Sequence, residues 1–176
     1  THGDETAEAT SASGAAVSYT SPATSDNYDA AGVATCLPAS GSTFALGDAT
    51  VTCNATDANG NAAIATTFKV KVQDKTKPVI ALDGVTADIE VGGAYTELGA
   101  TATDIVDGTF AATPTGSVNT AVVGSYDITY TATDKAGNAA DPVKRTVKVV
   151  DITKPVIATH GDETAEATSA SGAAVS

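Results

Sequence analysis

The chain has 176 residues, only 5% of them aromatic, with no Trp and no Met. Its 21 acidic residues against 9 basic ones give a formal charge of -12, which excludes a generic nucleic-acid-backbone binder, because that affinity rests on clustered Lys and Arg. No apolar run approaches the roughly 20 residues of a membrane span, and no signal peptide is visible; the lack of Met suits an interior segment of a longer polypeptide.

The apolar pattern is mostly of period two, in short runs broken by Gly, Pro, Asn and Asp, and predicts strands. In the N-terminal half these fall at residues 15–20, 32–37, 42–45, 49–55 and 62–73. In the last of them Phe68, Val70 and Val72 alternate with Lys69, Lys71 and Gln73, the pattern of a strand with one buried face. The C-terminal half predicts strands at residues 79–82, 87–91, 100–103, 109–113, 126–132 and 143–150. No window carries a helical stripe. Short strands separated by turn signals every 8 to 12 residues or so predict an all-β fold of Ig-like β-sandwiches, about seven strands in each.

The chain also repeats itself at two scales. Residues 1–18, THGDETAEATSASGAAVS, return unchanged as residues 159–176, so Thr1 recurs 158 residues on. Within that unit ATDANGNAA (residues 55–63) recurs as ATDKAGNAA (132–140), and Asp74-Lys75-Thr76-Lys77-Pro78-Val79-Ile80 recurs as Asp151-Ile152-Thr153-Lys154-Pro155-Val156-Ile157, both at an offset of 77. The pattern divides the chain into domain one (1–77), domain two (78–154) and the opening strands of a further copy of domain one (155–176). It reads as a window on a tandem array of sandwiches set end to end. A module of under 80 residues buries a thin core and calls for extra stabilisation.

In domain one, ATSASGAAVSYTSPATSDNYD (9–29), CLPASGSTFALGDATVTCNATDANGNA (36–62) and the closing VQDKTKPVI (72–80) resemble the hyalin repeat, or HYR domain, an Ig-like module of extracellular proteins. In domain two, AYTELGATATDIVDGT (94–109) and GSYDITYTATDKAGNAA (124–140) resemble the bacterial Ig-like modules found in tandem on surface proteins. There are two departures: domain two has no Cys, and domain one lacks an opening strand, which residues 155–158 of a preceding unit would supply in register.

Cys36 and Cys53 are the only cysteines. On an Ig-like layout they lie on the neighbouring strands C and F, and a disulfide is expected there, as befits a small acidic module in an oxidising compartment. A metal or redox pair would need closer spacing or His partners.

The acidic residues cluster at matched positions. Asp26-Asn27-Tyr28-Asp29 corresponds to Asp104-Ile105-Val106-Asp107, and Asp57-Ala58-Asn59-Gly60-Asn61 to Asp134-Lys135-Ala136-Gly137-Asn138. In an Ig-like sandwich these are the B–C and F–G loops, which share the end where the chain enters. The linker residue Asp74 is then expected to approach Asp104, Asp107 and Asp134, with Asn138 close by. Asp151 is expected to approach Asp26, Asp29, Asp57, Asn59 and Asn61 of a following copy. Such sets of carboxylate, amide and carbonyl oxygens suit a hard cation such as Ca2+. The alternative is that they are simple turns, since Asp and Asn bond their own backbone in tight turns without any metal.

Nothing suggests catalysis: there is no nucleophile elbow, phosphate loop or Ser–His–Asp order. His2 and His160 are one repeat position, so the unit offers no His pair for zinc. Glu5, Glu8, Glu90 and Glu97 read as solvated strand faces. The expectation is a non-enzymatic structural segment of an extracellular fibre, stalk or filament on a bacterial surface. Its partners would be neighbouring repeats of the same protein, with surface glycans or other cells as further candidates. The competing class is an adhesin or a carbohydrate-binding module of a secreted protein, which predicts a polar or aromatic patch unique to one module.

Overall fold

The computed structural model describes residues 2–159, 161–162 and 164–172. It is all-β, and the strands group into two sandwiches. Domain one holds β1 (Glu5–Glu8), β2 (Ala15–Ala16), β3 (Ala23–Thr24), β4 (Gly32–Val33), β5 (Thr35–Leu37), β6 (Thr43–Phe44), β7 (Gly47–Asn54) and β8 (Thr66–Gln73). Domain two holds β9 (Val79–Leu82), β10 (Ile89–Glu90), β11 (Ala100–Asp104), β12 (Gly108–Ala111), β13 (Thr113–Thr115), β14 (Gly124–Thr131) and β15 (Val143–Val150).

The two domains share one plan. A four-stranded sheet runs β1-β8-β7-β5 in domain one and β10-β15-β14-β13 in domain two. In each its first pair is parallel and the rest antiparallel. Facing it are β12-β11-β9 in domain two and, in domain one, only the pair β2-β6, with β3-β4 as a separate hairpin. The alternation in β8 puts Phe68, Val70 and Val72 inside, and that in β15 does the same for Arg145, Val147 and Val149. Around β8 pack Ala15, Val17, Tyr19, Phe44, Val51 and the two cysteines. Domain two packs Ile80, Ala100, Ala102, Ile128 and Tyr130. Gly14 precedes β2 with a φ of 103° and a Cβ there would lie 1.9 Å from the Phe44 carbonyl oxygen, so β2 approaches β6 closely only because the residue is Gly.

Two predicted strands break in the middle because the chain changes sheets within them. Residues 32–37 divide into β4, paired with β3, and β5, paired with β7. Residues 109–113 divide between β12, paired with β11, and β13, paired with β14. The strand expected at 62–73 begins only at Thr66, since Ala62 is held in a turn by its bridge to Thr56. Residues 155–172, expected to open a further module, form no strand among the described residues. Opening strands of this kind need a domain-one sheet to pair with, and Val156 and Ile157 lie 92% and 91% exposed.

Domain two meets domain one through its B–C and F–G loops. Val106 packs against the core of domain one, and the Asn138 side-chain amide donates to the Asp74 carbonyl at 3.1 Å.

Candidate metal centre

Three loops converge at this junction. In the F–G turn of domain two, Asp134 Oδ1 accepts the Asn138 backbone N–H at 2.7 Å and Oδ2 accepts its side-chain amide at 2.7 Å. Gly137, with a φ of 95°, lets the turn close. In the B–C loop, Asp104 Oδ1 accepts the N–H groups of Val106 at 2.7 Å and Asp107 at 2.9 Å. In the linker, Asp74 Oδ1 accepts the Thr76 N–H at 3.1 Å. Each carboxylate is thus aimed by its own local turn, as Asp does readily.

The result is a group of three buried carboxylates, Asp74, Asp104 and Asp134, whose candidate ligand oxygens all lie within 4.8 Å of one another. Among the described residues none of the three is ion-paired with Lys or Arg. Burial raises the pKa of Asp74 above the usual carboxylate range. The Thr76 hydrogen bond opposes this, while the charges of Asp104, Asp134 and Glu8 add to it. Asp104 Oδ2 is buried with no hydrogen-bond partner, and a buried polar atom without one is costly. Oxygens bound to one Ca2+ at about 2.3–2.6 Å lie within roughly 5 Å of each other, and all-oxygen donors are what that ion takes. The residues present fit a hard divalent cation.

The other residues singled out from the sequence fall elsewhere. Asp107 stands outside the group: its Oδ2 accepts the Lys135 N–H at 2.6 Å and its Oδ1 pairs with Lys135 Nζ at 2.9 Å. Those bonds hold its pKa below the usual range, and it fastens the B–C loop to the F–G loop. Asn138 braces two of the three carboxyl-bearing residues through its amide.

Domain one repeats this wiring. Asp26 Oδ1 accepts from Tyr28 and Asp29, Asp29 Oδ2 accepts from Ala58, and Asp57 accepts from Asn59 and Asn61. Asp26, Asp29, Asp57 and Asn61 line a cleft of about 550 Å³, but no linker carboxylate joins them to make a group of three. Asp151 lies far along the chain, exposed, and accepts the Thr153 N–H.

Glu8 and Glu90 are not merely solvated faces. Glu8 Oε1 accepts from the Lys75 N–H and the Thr76 hydroxyl. Glu90 takes the Ile152 and Thr153 N–H groups and the Thr153 hydroxyl. Each clamps the linker that leaves its own domain. Their matched positions, six residues before Gly14 and nine before Gly99, could not reveal this, because the contact depends on the parallel pairing of β1 with β8 and β10 with β15. Glu97 lies inside domain two, accepting the hydroxyls of Tyr95 and Tyr130 beside Arg145. Cys36 and Cys53 are register partners on β5 and β7 and form a disulfide.

Comparison with known proteins gives the family. The HYR domain family matches residues 4–72. The family described as bacterial surface protein, Ig-like domain, matches residues 80–149. The chain is similar to hyalin of Lytechinus variegatus, 33% identical over 153 residues that make up 82% of this chain. It is likewise similar to hyalin of Strongylocentrotus purpuratus, 30% identical over 156 residues, 84% of this chain. The chain spans 28% and 13% of the lengths of those two relatives. Both families are surface and adhesion-type domains and not enzymes, and this chain carries a HYR domain followed by an Ig-like domain of the bacterial surface type.

Proposed function

We propose that this segment is a structural repeat of an extracellular fibre, stalk or filament on a bacterial surface, a semi-rigid spacer whose internal joint is stiffened by Ca2+. The observation that carries the reading is the group Asp74, Asp104 and Asp134, buried together at the domain junction with Asp104 Oδ2 lacking a partner. Its carboxylates come from the linker and from two loops of domain two, so an ion held there ties the linker to the domain it enters. Asp104 and Asp134 are each turned inward by their own loops before any ion arrives. The linker adds stiffness of its own, because Pro78 fixes its φ and holds Lys77 extended, and Glu8 pins Lys75 and Thr76.

Calcium bound only by the folded junction raises its stability by mass action, about 2.7 kcal/mol at a hundredfold excess over Kd. A melting curve of the full chain tests this. Millimolar calcium is expected to raise the transition of domain two and chelation to reverse it; an unchanged transition contradicts the reading.

A further inference from the structure

Domain one presents an open strand edge with one specific occupant written into the sequence. In domain two, β9 lies antiparallel on β11, with Val79 opposite Thr103, Ile80 opposite Ala102, Ala81 opposite Thr101 and Leu82 opposite Ala100. Ile80 is 8% exposed in the core, while Val79, on the other face, is 71% exposed. The counterpart of β11 in domain one is the stretch that begins with β2. Gly14 and Gly99, both of positive φ, precede the two strands, and buried Ala15 and Val17 take the places of Ala100 and Ala102.

One edge of that stretch is used. Ala15 opposes Phe44, the Val17 N–H donates to the Ser42 carbonyl at 3.1 Å, and the Val17 carbonyl accepts from Gly41 at 2.8 Å. Successive residues of an antiparallel strand turn their main-chain groups to opposite edges. Ala16 and Ser18 therefore face the other edge, where no described strand pairs with them. An unpaired edge of this kind is a template for an added strand.

The β9 sequence Pro78-Val79-Ile80-Ala81 recurs as Pro155-Val156-Ile157-Ala158, where both large apolar side chains are exposed. The spacing to the linker carboxylate also recurs, five residues from Asp74 to Val79 and five from Asp151 to Val156. A strand laid on the open edge thus carries Asp151 towards the end of domain one where Asp26 and Asp57 lie. Those two residues repeat the turn bonds of Asp104 and Asp134.

We infer that residues 156–159 of a second copy of this chain form the missing strand of domain one, with Val156 opposite Ser18, Ile157 opposite Val17, Ala158 opposite Ala16 and Thr159 opposite Ala15. This rests on the end-to-end reading above and specifies its joint. Ile157 goes from exposed to buried, as Ile80 is. Pairing ends at Thr159, because the sequence after it, identical to residues 1–18, meets positions already filled by the recipient's own β1 and β2. The contact is head to tail, so it generates an open chain of copies and not a closed dimer.

Cysteine cross-linking reads the register. Ser18 and Val156 would form a hydrogen-bonded pair with Cα atoms about 5.5 Å apart, within the range of about 4.4–6.8 Å that a disulfide spans. Ser18→Cys chain is mixed at high concentration with Val156→Cys chain, and separately with Ile157→Cys chain, whose side chain points to the opposite face. The mixed disulfide is expected to form several-fold faster with Val156→Cys, and Ile157→Asp added to that partner is expected to abolish the advantage. Equal rates for the two partners, or no mixed disulfide with either, overturn the pairing. Calcium stiffening of the Asp74 junction lies within one chain, so it survives failure of the cross-link, just as the cross-link survives failure of the calcium reading.

Discussion

Asp104 carries the largest unmet demand in the molecule: one carboxylate oxygen takes two backbone N–H groups while the other is buried and unpartnered. Beside it lie two more buried carboxylates, and like charges gathered out of water destabilise the fold that gathers them. Asp104→Asn is therefore expected to leave the calcium-free protein as stable as the parent, or more so, and to abolish any rise in melting temperature with calcium. A calcium response equal to the parent's would remove Asp104 from the site. The raised pKa of Asp74 gives a pH dependence whose sign follows from linkage. Its folded value lies above its unfolded value, so between the two the folded chain binds more protons than the unfolded one. The contribution is therefore favourable at low pH and is lost as pH rises through that window. Without calcium, the stability of domain two is expected to gain from this residue on acidification towards the unfolded value, and Asp74→Asn is expected to flatten that part of the profile in a pH-resolved melting series.

At the scale of elements, the disulfide does what the small core cannot. It joins β5 to β7 across a sequence separation of 17, and closing a loop of that size contributes roughly 3 kcal/mol. Replacing both cysteines by Ser is expected to lower the stability of domain one by about that amount, measured by denaturant unfolding, and to leave the domain-two transition in place. Loss of both transitions together would show the domains to be one cooperative unit. The long strands β8 and β15 were legible because their alternation is strong: Phe68, Val70, Val72 in one and Val147, Val149 in the other. β1 was not, because its inward residues are Glu5 and Ala7, which carry no apolar signal. The sheet changes between β4 and β5 and between β12 and β13 were equally silent, since each lies inside one continuous strand-like run. Of the site, the 77-residue offset located both Asp loops and the linker Asp. What sequence could not give was which carboxylates turn inward. Asp107 and Asp104 are three residues apart in one turn, yet one binds Lys135 in the open and the other is buried.

At the scale of the whole molecule, two related sandwiches are joined by a short clamped linker, and the carboxylates are concentrated where one domain meets the next. The acidic composition is thus not evenly spread solvation alone: the matched loops in domain one show the same arrangement waiting for one more carboxylate. A rod built this way has its stiffness set at its joints, and the joint is where calcium has leverage. The most direct test is the distribution of distances between spin labels at the exposed positions Asp48 and Ser117, one in each domain of the full chain, recorded with calcium and with chelator. The account predicts a distribution that narrows on adding calcium and broadens on removing it, with the change absent in Asp104→Asn. A distribution of the same width in both conditions would contradict it.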